Sequence, residues 1–599
     1  MRSRRRRTLA ALAVLLTACA SPVPRPEAVG RRDYGAVRAY IAALAEQEMR
    51  KADVTGLSVA LVDDQNLVWA DGFGLADRAR SIPAGPDTVY RVGSVTKLFT
   101  AAAVMQLAEQ GKLAIDRPIE AVIPGFSMKS RFENARPVTP RLLMSHHAGL
   151  PTDMLKGFSE PHPRSLSELT RQLQDEYLAF PPGTVWSYSN VGYSLLGRAV
   201  ETVAGVPYDV HIDGVLLKPL GMTNASITAR APEGPMAAKG YRNDKEAADL
   251  ILRDVSAGGL NASVRDMSRF LAMIFADGRA NGGSVLQPET VREMLRPQNA
   301  GVPLDLNFRV GLGWMLSGLG DIEFTNAGPV AHHAGGTVLF HSQIIALPEH
   351  KLGVVVLSNS ASSRKVVNKV ATETLKLALE AKTGIREPAP TLPALSNRPV
   401  SPELARAFEG DYATQLGYAK VYAKGGELRA DAVGRSFRLV PRDDGLLAVR
   451  YSLLGIVNVD LGMEIGLSRA RIAGREVLIA QVGAQQLLVG ERIEPVAMPN
   501  AWLERVGEYE ITNLGDDRPV FTRVALARDA RHLFLKVSMT EAPDVDFALP
   551  LEALDDRIAV IRGLGRSQGS SIVALETPAG AQLTYSGYLL RKKLLLETR

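Results

Sequence analysis

The sequence is nearly free of cysteine, since Cys19 is the one cysteine among 599 residues. An internal disulfide is therefore excluded, as is a zinc site built from several thiolates. The nine histidines contain neither an H-x-H nor an H-E-x-x-H spacing, and these are the spacings that zinc sites favour. The sequence thus predicts no metal site and no cofactor.

An excess of charge of one sign is also scarce beyond the N-terminus. The net charge is +6, and most of it comes from the cluster Arg2, Arg4, Arg5, Arg6 and Arg7. Without this cluster the chain is near neutral, so nothing in it favours a nucleic-acid-binding surface. The hydrophobic fraction of 46% is typical of a soluble globular protein, and a chain of this length is too long for one core.

Long apolar runs are equally scarce near the N-terminus. The basic start is followed by "TLAALAVLLTA", about 11 residues, which is too short to span a bilayer. The string "LTAC" resembles the lipobox of bacterial lipoproteins, which implies a signal peptide over 1–18 and lipidation of Cys19. Ala20 in the next position resembles outer-membrane sorting. We therefore expect a lipid-anchored protein of the bacterial cell envelope, in the outer membrane and facing the periplasm. The alternative is a plain secretory signal with an incidental cysteine.

Composition and periodicity divide the rest of the chain. A Pro-rich tether covers 19–33, helices and strands mix over 34–385, and a second Pro-rich linker covers 386–403. Helical spacing predicts helices at 34–51, 94–113, 191–204, 263–277, 288–296 and 364–382, and strands within 56–74 and at 338–346 and 352–358. Short alternating runs between Gly and Asp turns predict two β-rich modules, 404–498 and 499–599.

The best candidate nucleophile is Ser94 in "RVGSVTK". A serine that opens a helix shares a face with the residue three positions on, so the Lys97 amine is expected to reach the Ser94 hydroxyl. Burial in an apolar helix lowers the pKa of a lysine, which allows it to act as a base. The four-residue pattern alone is weak, because it recurs at Ser362. The string "GRSQG" at 565–569 matches a nucleophile elbow, but strand-like sequence follows it, so we interpret it as a hairpin turn.

Three further positions fit one pocket with this serine. Tyr188 and Asn190 lie two residues apart, so in an extended segment they project to the same side. A phenol there relays protons, and an amide orients a carbonyl group. The string "HHAGG" at 332–336 precedes strand-like sequence, and we expect His333 to face a cleft. Its partial copy "HHAG" at 146–149 is interpreted as a structural loop.

In this order, Ser94-x-x-Lys97, Tyr188-x-Asn190 and His333-x-Gly335 resemble the motifs of the serine β-lactamase-like and penicillin-binding-protein-like hydrolases. The branch most similar is the class C β-lactamase and D-Ala-D-Ala carboxypeptidase-like group. The resemblance covers roughly 35–385. It implies an α/β fold, with an antiparallel sheet and a helical subdomain, followed by lipocalin-like or barrel-like modules. It places Ser362, Tyr241 and His147 outside the pattern.

The resemblance also implies roles for these residues. Ser94, Lys97 and Tyr188 would be catalytic: Ser94 is acylated, and the other two share the role of base. Asn190 and His333 would bind substrate, as would Gly335 and Gly336, with the N–H of Gly336 in the oxyanion hole. The expected activity is cleavage of a peptide, amide or ester bond, as in a D-Ala-D-Ala carboxypeptidase, a D-aminopeptidase or an esterase.

One departure from the pattern bears on the activity. His333 stands where class C β-lactamases have a lysine, so a fixed cation for a β-lactam carboxylate is replaced by a group that titrates near neutral pH. This disfavours a true class C-like β-lactamase, which stays an alternative. A catalytically inactive receptor for β-lactams or wall fragments is the alternative of another class. The expected partners are a small-molecule or peptide substrate, including peptidoglycan fragments, and a membrane contacted through the lipid anchor, with no nucleic acid.

Overall fold

The computed structural model describes residues 22–593 except 319, 321, 390–392, 397–398, 454–456, 460–464 and 579. The predicted signal peptide and Cys19 lie outside the described residues. Among the described residues, no helix combines the length and apolarity that crossing a membrane requires.

A six-stranded antiparallel sheet forms the centre of the first domain. In sheet order its strands are Ala331–Gly336, His341–Leu347, Leu352–Ser358, Gly56–Asp63, Asn66–Asp77 and Ile82–Pro83. Side chains alternate between its two faces, as the period of a strand requires. Val59 and Leu61 join one buried cluster, whereas Ala60 and Val62 join another. The sheet is therefore covered on both faces.

Helices cover the two faces in different ways. The terminal helices Tyr34–Ala52 and Arg364–Thr383 pack together on one face. The larger cluster on the other face contains the helical subdomain. Its α-helices are Thr96–Glu109, Pro140–Met144, Leu166–Leu173, Asn190–Ala204, Tyr208–Ile212, Lys218–Leu220, Val255–Gly258, Val264–Phe275 and Pro288–Met294. This arrangement confirms the predicted α/β fold.

The β-rich region forms two closed modules, here named the first and second barrels. The first barrel contains a nine-stranded sheet in which eight strands close into a ring. Its strands are Gly410–Thr414, Gly417–Lys424, Glu427–Ala432, Arg435–Pro441, Leu447–Leu453, Val457–Val459, Gly466–Ile472, Arg475–Val482 and Gln485–Ile493. The short helix Pro402–Phe408 precedes it.

The second barrel is a closed ring of eight antiparallel strands. They are Gly507–Ile511, Phe521–Arg528, Leu533–Met539, Ala542–Ala553, Ile558–Ile561, Ser571–Thr577, Gly580–Tyr585 and Tyr588–Lys592. Inward residues such as Leu535, Leu551 and Leu590 fill its core. The helix Asn500–Glu504 precedes it, and Trp502 is fully buried against the barrel core.

Candidate active site

The serine of the first motif opens the central helix of the subdomain. A tight turn, Gly93–Val95, leads into the helix Thr96–Glu109, so the predicted helix at 94–113 begins with one 3-10 turn. Ser94 is partly exposed, whereas its neighbours Gly93 and Val95 are buried. Gly93 has a φ of +54°, and a Cβ there would lie 2.7 Å from the amide nitrogen of Gly336. Glycine therefore allows the serine turn to approach the third motif.

The lysine of the first motif is held by three oxygen atoms. Lys97 Nζ lies 3.2 Å from Ser94 Oγ, and it donates to Asn190 Oδ1 and to the Ala257 carbonyl, both at 2.8 Å. The Lys97 side chain is fully buried. A carbonyl oxygen can only accept, so two N–H groups of the amine have fixed directions. The third position of the nitrogen is directed at the serine hydroxyl.

The amide of Asn190 is oriented from its other end by a carboxylate. Asn190 Nδ2 donates to Asp153 Oδ1 at 2.7 Å, which turns Oδ1 toward Lys97. Asn190 is the first residue of the helix Asn190–Ala204, and Ser189 caps that helix by accepting from Gly192 N at 2.9 Å. The cap fixes the backbone between the tyrosine and the asparagine of the second motif.

The ring of Tyr188 is surrounded by four other side chains of the site. Lys97 Nζ lies 5.0 Å from its centroid, and the His146 ring packs against it at 4.2 Å. The His333 ring lies 6.4 Å away, and the Arg566 guanidinium carbon lies 5.1 Å away. Tyr188 therefore has two cations and two imidazoles as neighbours.

The ring of His333 is buried and neutral. It is 2% exposed, and burial together with the Lys97 charge lowers its pKa to about 3. Nδ1 lies 2.7 Å from the Ala334 carbonyl, to which it donates, so Nε2 is the acceptor of the neutral ring. This differs from the expected group that faces the cleft and titrates near neutral pH. The physical reason is that the string "HHAGG" itself forms part of a strand, Ala331–Gly336, on which His333 is buried. Glycine and histidine have little strand propensity, so the sequence does not indicate this strand.

The two glycines of the third motif have different surroundings. A Cβ on Gly335 would lie 1.9 Å from the Val92 carbonyl oxygen, so this position needs glycine. Gly336 is exposed and lines the cleft beside Ser94. Because Gly93 lies against the Gly336 amide, the backbones of Ser94 and Gly336 are adjacent. The predicted oxyanion hole requires this placement.

A cleft of about 810 Å³ opens above these residues. Ser94, Asn190 and Gly336 line it, whereas the rings and amine behind them are nearly buried. The second barrel also contributes lining residues: Met539, Glu541 and Arg566. The sequence analysis does not anticipate this contribution, because a barrel that follows a linker gives no signal of where it docks.

The string "GRSQG" joins the second barrel to the first domain. It lies in the barrel loop, residues 562–570, between two barrel strands, so the predicted turn is correct. Ser567 N donates to Thr152 Oγ1 at 2.9 Å, and Ser187 Oγ donates to the Gly565 carbonyl at 3.2 Å. Arg131 Nη2 donates to the Gly569 carbonyl at 2.7 Å. These bonds fix the loop next to Tyr188.

Three residues match a motif of the site without belonging to it: Ser362, Tyr241 and His147. Ser362 lies at the cleft rim, where its hydroxyl donates to the Asp53 carbonyl at 3.2 Å. Tyr241 accepts from Arg78 N at 2.7 Å. His147 Nε2 lies 2.7 Å from Asp305 Oδ2, and both side chains are buried. In the described ranges, no three His, Cys, Asp or Glu side chains are grouped as metal ligands.

The sequence pattern of the Beta-lactamase family matches residues 41–378. This range contains Ser94, Lys97, Tyr188, Asn190 and His333, and it covers more than half of the chain. The protein therefore belongs to the beta-lactamase family.

Individual relatives share part of this similarity. Protein flp of Staphylococcus aureus strain MRSA252 is 24% identical over 328 residues, which are 52% of this chain and 61% of that protein. Esterase EstB of Burkholderia gladioli is 28% identical over 379 residues, or 55% of this chain and 92% of that protein. A crystal structure of SurE with D-Leu has a TM-score of 0.54 and 26% identity, and it covers 77% of this chain and 100% of that chain. The chain thus spans about three fifths of protein flp.

Proposed function

We propose that this protein is a cell-envelope serine hydrolase that cleaves a peptide, amide or ester bond through an acyl-enzyme on Ser94. The observation that carries the proposal is the position of Lys97. Two of its hydrogen bonds go to oxygens that only accept, and its nitrogen lies 3.2 Å from Ser94 Oγ. Once the Lys97 ammonium gives up a proton, its two engaged N–H groups leave the lone pair directed at the serine hydroxyl.

The acylation step follows from this geometry. Ser94 Oγ forms a bond to the scissile carbonyl carbon, and its proton passes to the Lys97–Tyr188 pair. The bond from that carbon to the leaving nitrogen or oxygen breaks, and the leaving group takes the proton. The N–H groups of Ser94 and Gly336 stabilise the oxyanion. Water then attacks the acyl carbon, and Ser94 Oγ departs with a proton from that water.

The neutral His333 favours an esterase or peptidase over a true β-lactamase. A pKa of about 3 leaves the ring uncharged over the physiological range, so it offers no cation to a β-lactam carboxylate. The similarity to an esterase, EstB, supports the same reading. Muropeptides, D-amino peptides and esters are the substrate classes we propose, with a class C-like β-lactamase as the second candidate.

A reactive probe tests the proposal against the alternative of an inactive receptor. The protein should be labelled covalently by a fluorophosphonate or a penicillin, and Ser94→Ala should not be labelled. A wild-type protein that binds penicillin reversibly, with no covalent adduct by mass spectrometry, would contradict the hydrolase. A substrate panel of wall peptides, D-amino peptides, esters and β-lactams then ranks the classes by kcat/KM.

We further propose that Cys19 is acylated and anchors the protein in the outer membrane, facing the periplasm, where peptidoglycan fragments are accessible. The support is the order of basic run, short apolar run, small residues and cysteine. Cys19→Ala should move the protein from the membrane fraction to the soluble fraction. A variant that still pellets with membranes and resists high salt would overturn the anchor.

A further inference from the structure

Among the described residues that line the cleft, one cation has no anionic partner. Among the described charged residues of its lining, Arg242 pairs with Glu541 at 2.5 Å, and Asp254 pairs with Arg253 at 2.8 Å. Arg566 also lines the cleft and is exposed there, and in the described part of the chain no carboxylate lies within ion-pair distance of it. Its guanidinium instead lies over the Tyr188 ring at 5.1 Å.

The barrel loop holds this cation in place. Ser567 and Gly565, the two neighbours of Arg566, are both hydrogen-bonded to the first domain. A Cβ on Gly569 would lie 2.5 Å from the Ala179 carbonyl oxygen, so the loop is packed closely against that domain. An arginine on a fixed backbone, with its side chain over an aromatic ring, loses less conformational freedom when it binds an anion.

The contact of Arg566 with Tyr188 indicates which part of a substrate Arg566 can reach. In the proposed function, which this inference rests on, the Lys97–Tyr188 pair passes the serine proton to the leaving group. The leaving group then lies close to this ring, and the guanidinium at 5.1 Å from the ring centroid is within reach of a charged group on it. Asp153, a carboxylate of the lining, is engaged by the Asn190 amide, from which it accepts at 2.7 Å.

The third motif supplies no cation to bind an anionic group of the substrate, and Arg566 supplies one instead. His333 is buried and uncharged, and Lys97 is occupied by Ser94, Asn190 and Ala257. A guanidinium binds a carboxylate through two parallel N–H donors, which adds geometric specificity. We propose that Arg566, from the second barrel, binds a carboxylate on the leaving group, so that the preferred substrate is a peptide or amide that ends in a free carboxylate.

Two thioesters that differ only in the charge of the leaving group test this proposal. Full-length protein is assayed with the benzoylglycyl thioester of mercaptoacetate and with that of mercaptoacetamide. Arg566→Ala should lower kcat/KM for the mercaptoacetate thioester at least about tenfold, mainly through KM, and leave the mercaptoacetamide thioester within about twofold. Arg566→Lys should restore part of the loss.

The matched control is Arg528→Ala, an exposed arginine on a strand of the same barrel, which should change neither thioester. Equal losses on both thioesters in Arg566→Ala, or no loss on either, would overturn the role of Arg566 while leaving the hydrolase proposal intact.

A binding measurement separates this inference from the proposed function. If the wild-type protein cleaves neither thioester, both are titrated calorimetrically into Ser94→Ala with and without Arg566→Ala. The added change should weaken the mercaptoacetate thioester at least about tenfold and spare the amide. Equal affinity for the two thioesters in Ser94→Ala would overturn the inference, even if other substrates establish the hydrolase.

Discussion

The two HHAG copies, residues 146–149 and 332–335, turn opposite members of their histidine pair toward the same tyrosine. In the first copy, the leading residue His146 packs on the Tyr188 ring at 4.2 Å. In the second copy, the trailing residue His333 faces the same ring, with its centroid 6.4 Å from that of Tyr188. Identical strings therefore converge on one ring from two segments with different backbones.

The backbone explains the difference. His146 has a φ of +60° in the turn after the helix Pro140–Met144, so it and His147 are aimed by an irregular bend. The second copy lies on a strand, where successive side chains point to opposite faces. His332 accordingly turns away and donates from Nε2 to the Ser317 carbonyl at 2.8 Å. The lesson is that a short string fixes which side chains are present, and the backbone fixes which of them reaches the site.

The largest expected effect separates the two copies of the S-x-x-K pattern. Ser94→Ala should lower kcat/KM at least about a thousandfold, or about 4 kcal/mol, because it removes the proposed nucleophile. Ser362→Ala should leave kcat/KM within about twofold, since that hydroxyl contacts only a backbone carbonyl at the rim. Both are measured on the same ester substrate. Comparable losses in the two variants would show that the nucleophile has been misassigned.

The sequence predicts the residues of the site better than their surroundings. Ser94, Lys97, Tyr188 and Asn190 come together because each pair is close in the chain and sits at a helix start, where local rules apply. The position of Arg566 depends on how a barrel about 470 residues further along the chain docks, and no local pattern encodes that docking.

Burial was the other property hidden from the sequence. The ordinary pKa of histidine suggests titration near neutral pH, and only the three-dimensional packing shows that His333 is enclosed. The sequence predicts a structural loop around His146, and the contact of His146 with Tyr188 depends on the bend that brings 146 and 188 together. The signal that could have pointed to it is the repeated string itself.

The next effect concerns stability and the first copy. His147→Ala should lower the free energy of unfolding by about 3 kcal/mol, because it leaves the buried Asp305 carboxylate without its imidazole partner. Asp305 also accepts from Trp186 N at 2.8 Å, so it helps to hold the segment before Tyr188. Denaturant unfolding measures the loss, and His147→Gln should recover part of it. A fully stable His147→Ala protein would contradict this structural role.

A somewhat smaller effect is expected in the pH dependence of the free energy of unfolding, to which the two histidines of the second copy contribute. Burial lowers the pKa of His332 to about 4 and that of His333 to about 3, from an ordinary value near 6.5. Below pH 6.5 the unfolded chain binds protons that the folded protein does not, so these groups make stability fall as pH falls from 6.5 toward 3. Their contribution is complete above pH 6.5.

A single variant isolates one of these groups. Between pH 7 and pH 4.5, His333→Asn should lose about 2 kcal/mol less unfolding free energy than the wild-type protein. Denaturant titrations at the two pH values provide the comparison. An unchanged slope in His333→Asn would mean that this ring is protonated in the folded protein.

The smallest expected effect decides which copy positions Tyr188 more strongly. His146 makes the closer ring contact, and its Nδ1 accepts from Ser189 N at 3.1 Å, so it holds both the tyrosine ring and the backbone beside it. His333 makes only the longer ring contact with Tyr188. His146→Ala should therefore lower kcat about tenfold, and His333→Ala should lower it only about threefold, with KM for a neutral ester little changed in both.

Because the two imidazoles approach one ring, the double variant should lose less than the product of the single losses. Steady-state kinetics of the four proteins on one neutral ester give the coupling. A larger loss of kcat in His333→Ala than in His146→Ala would reverse the order of the two copies and make the third motif the main support of Tyr188.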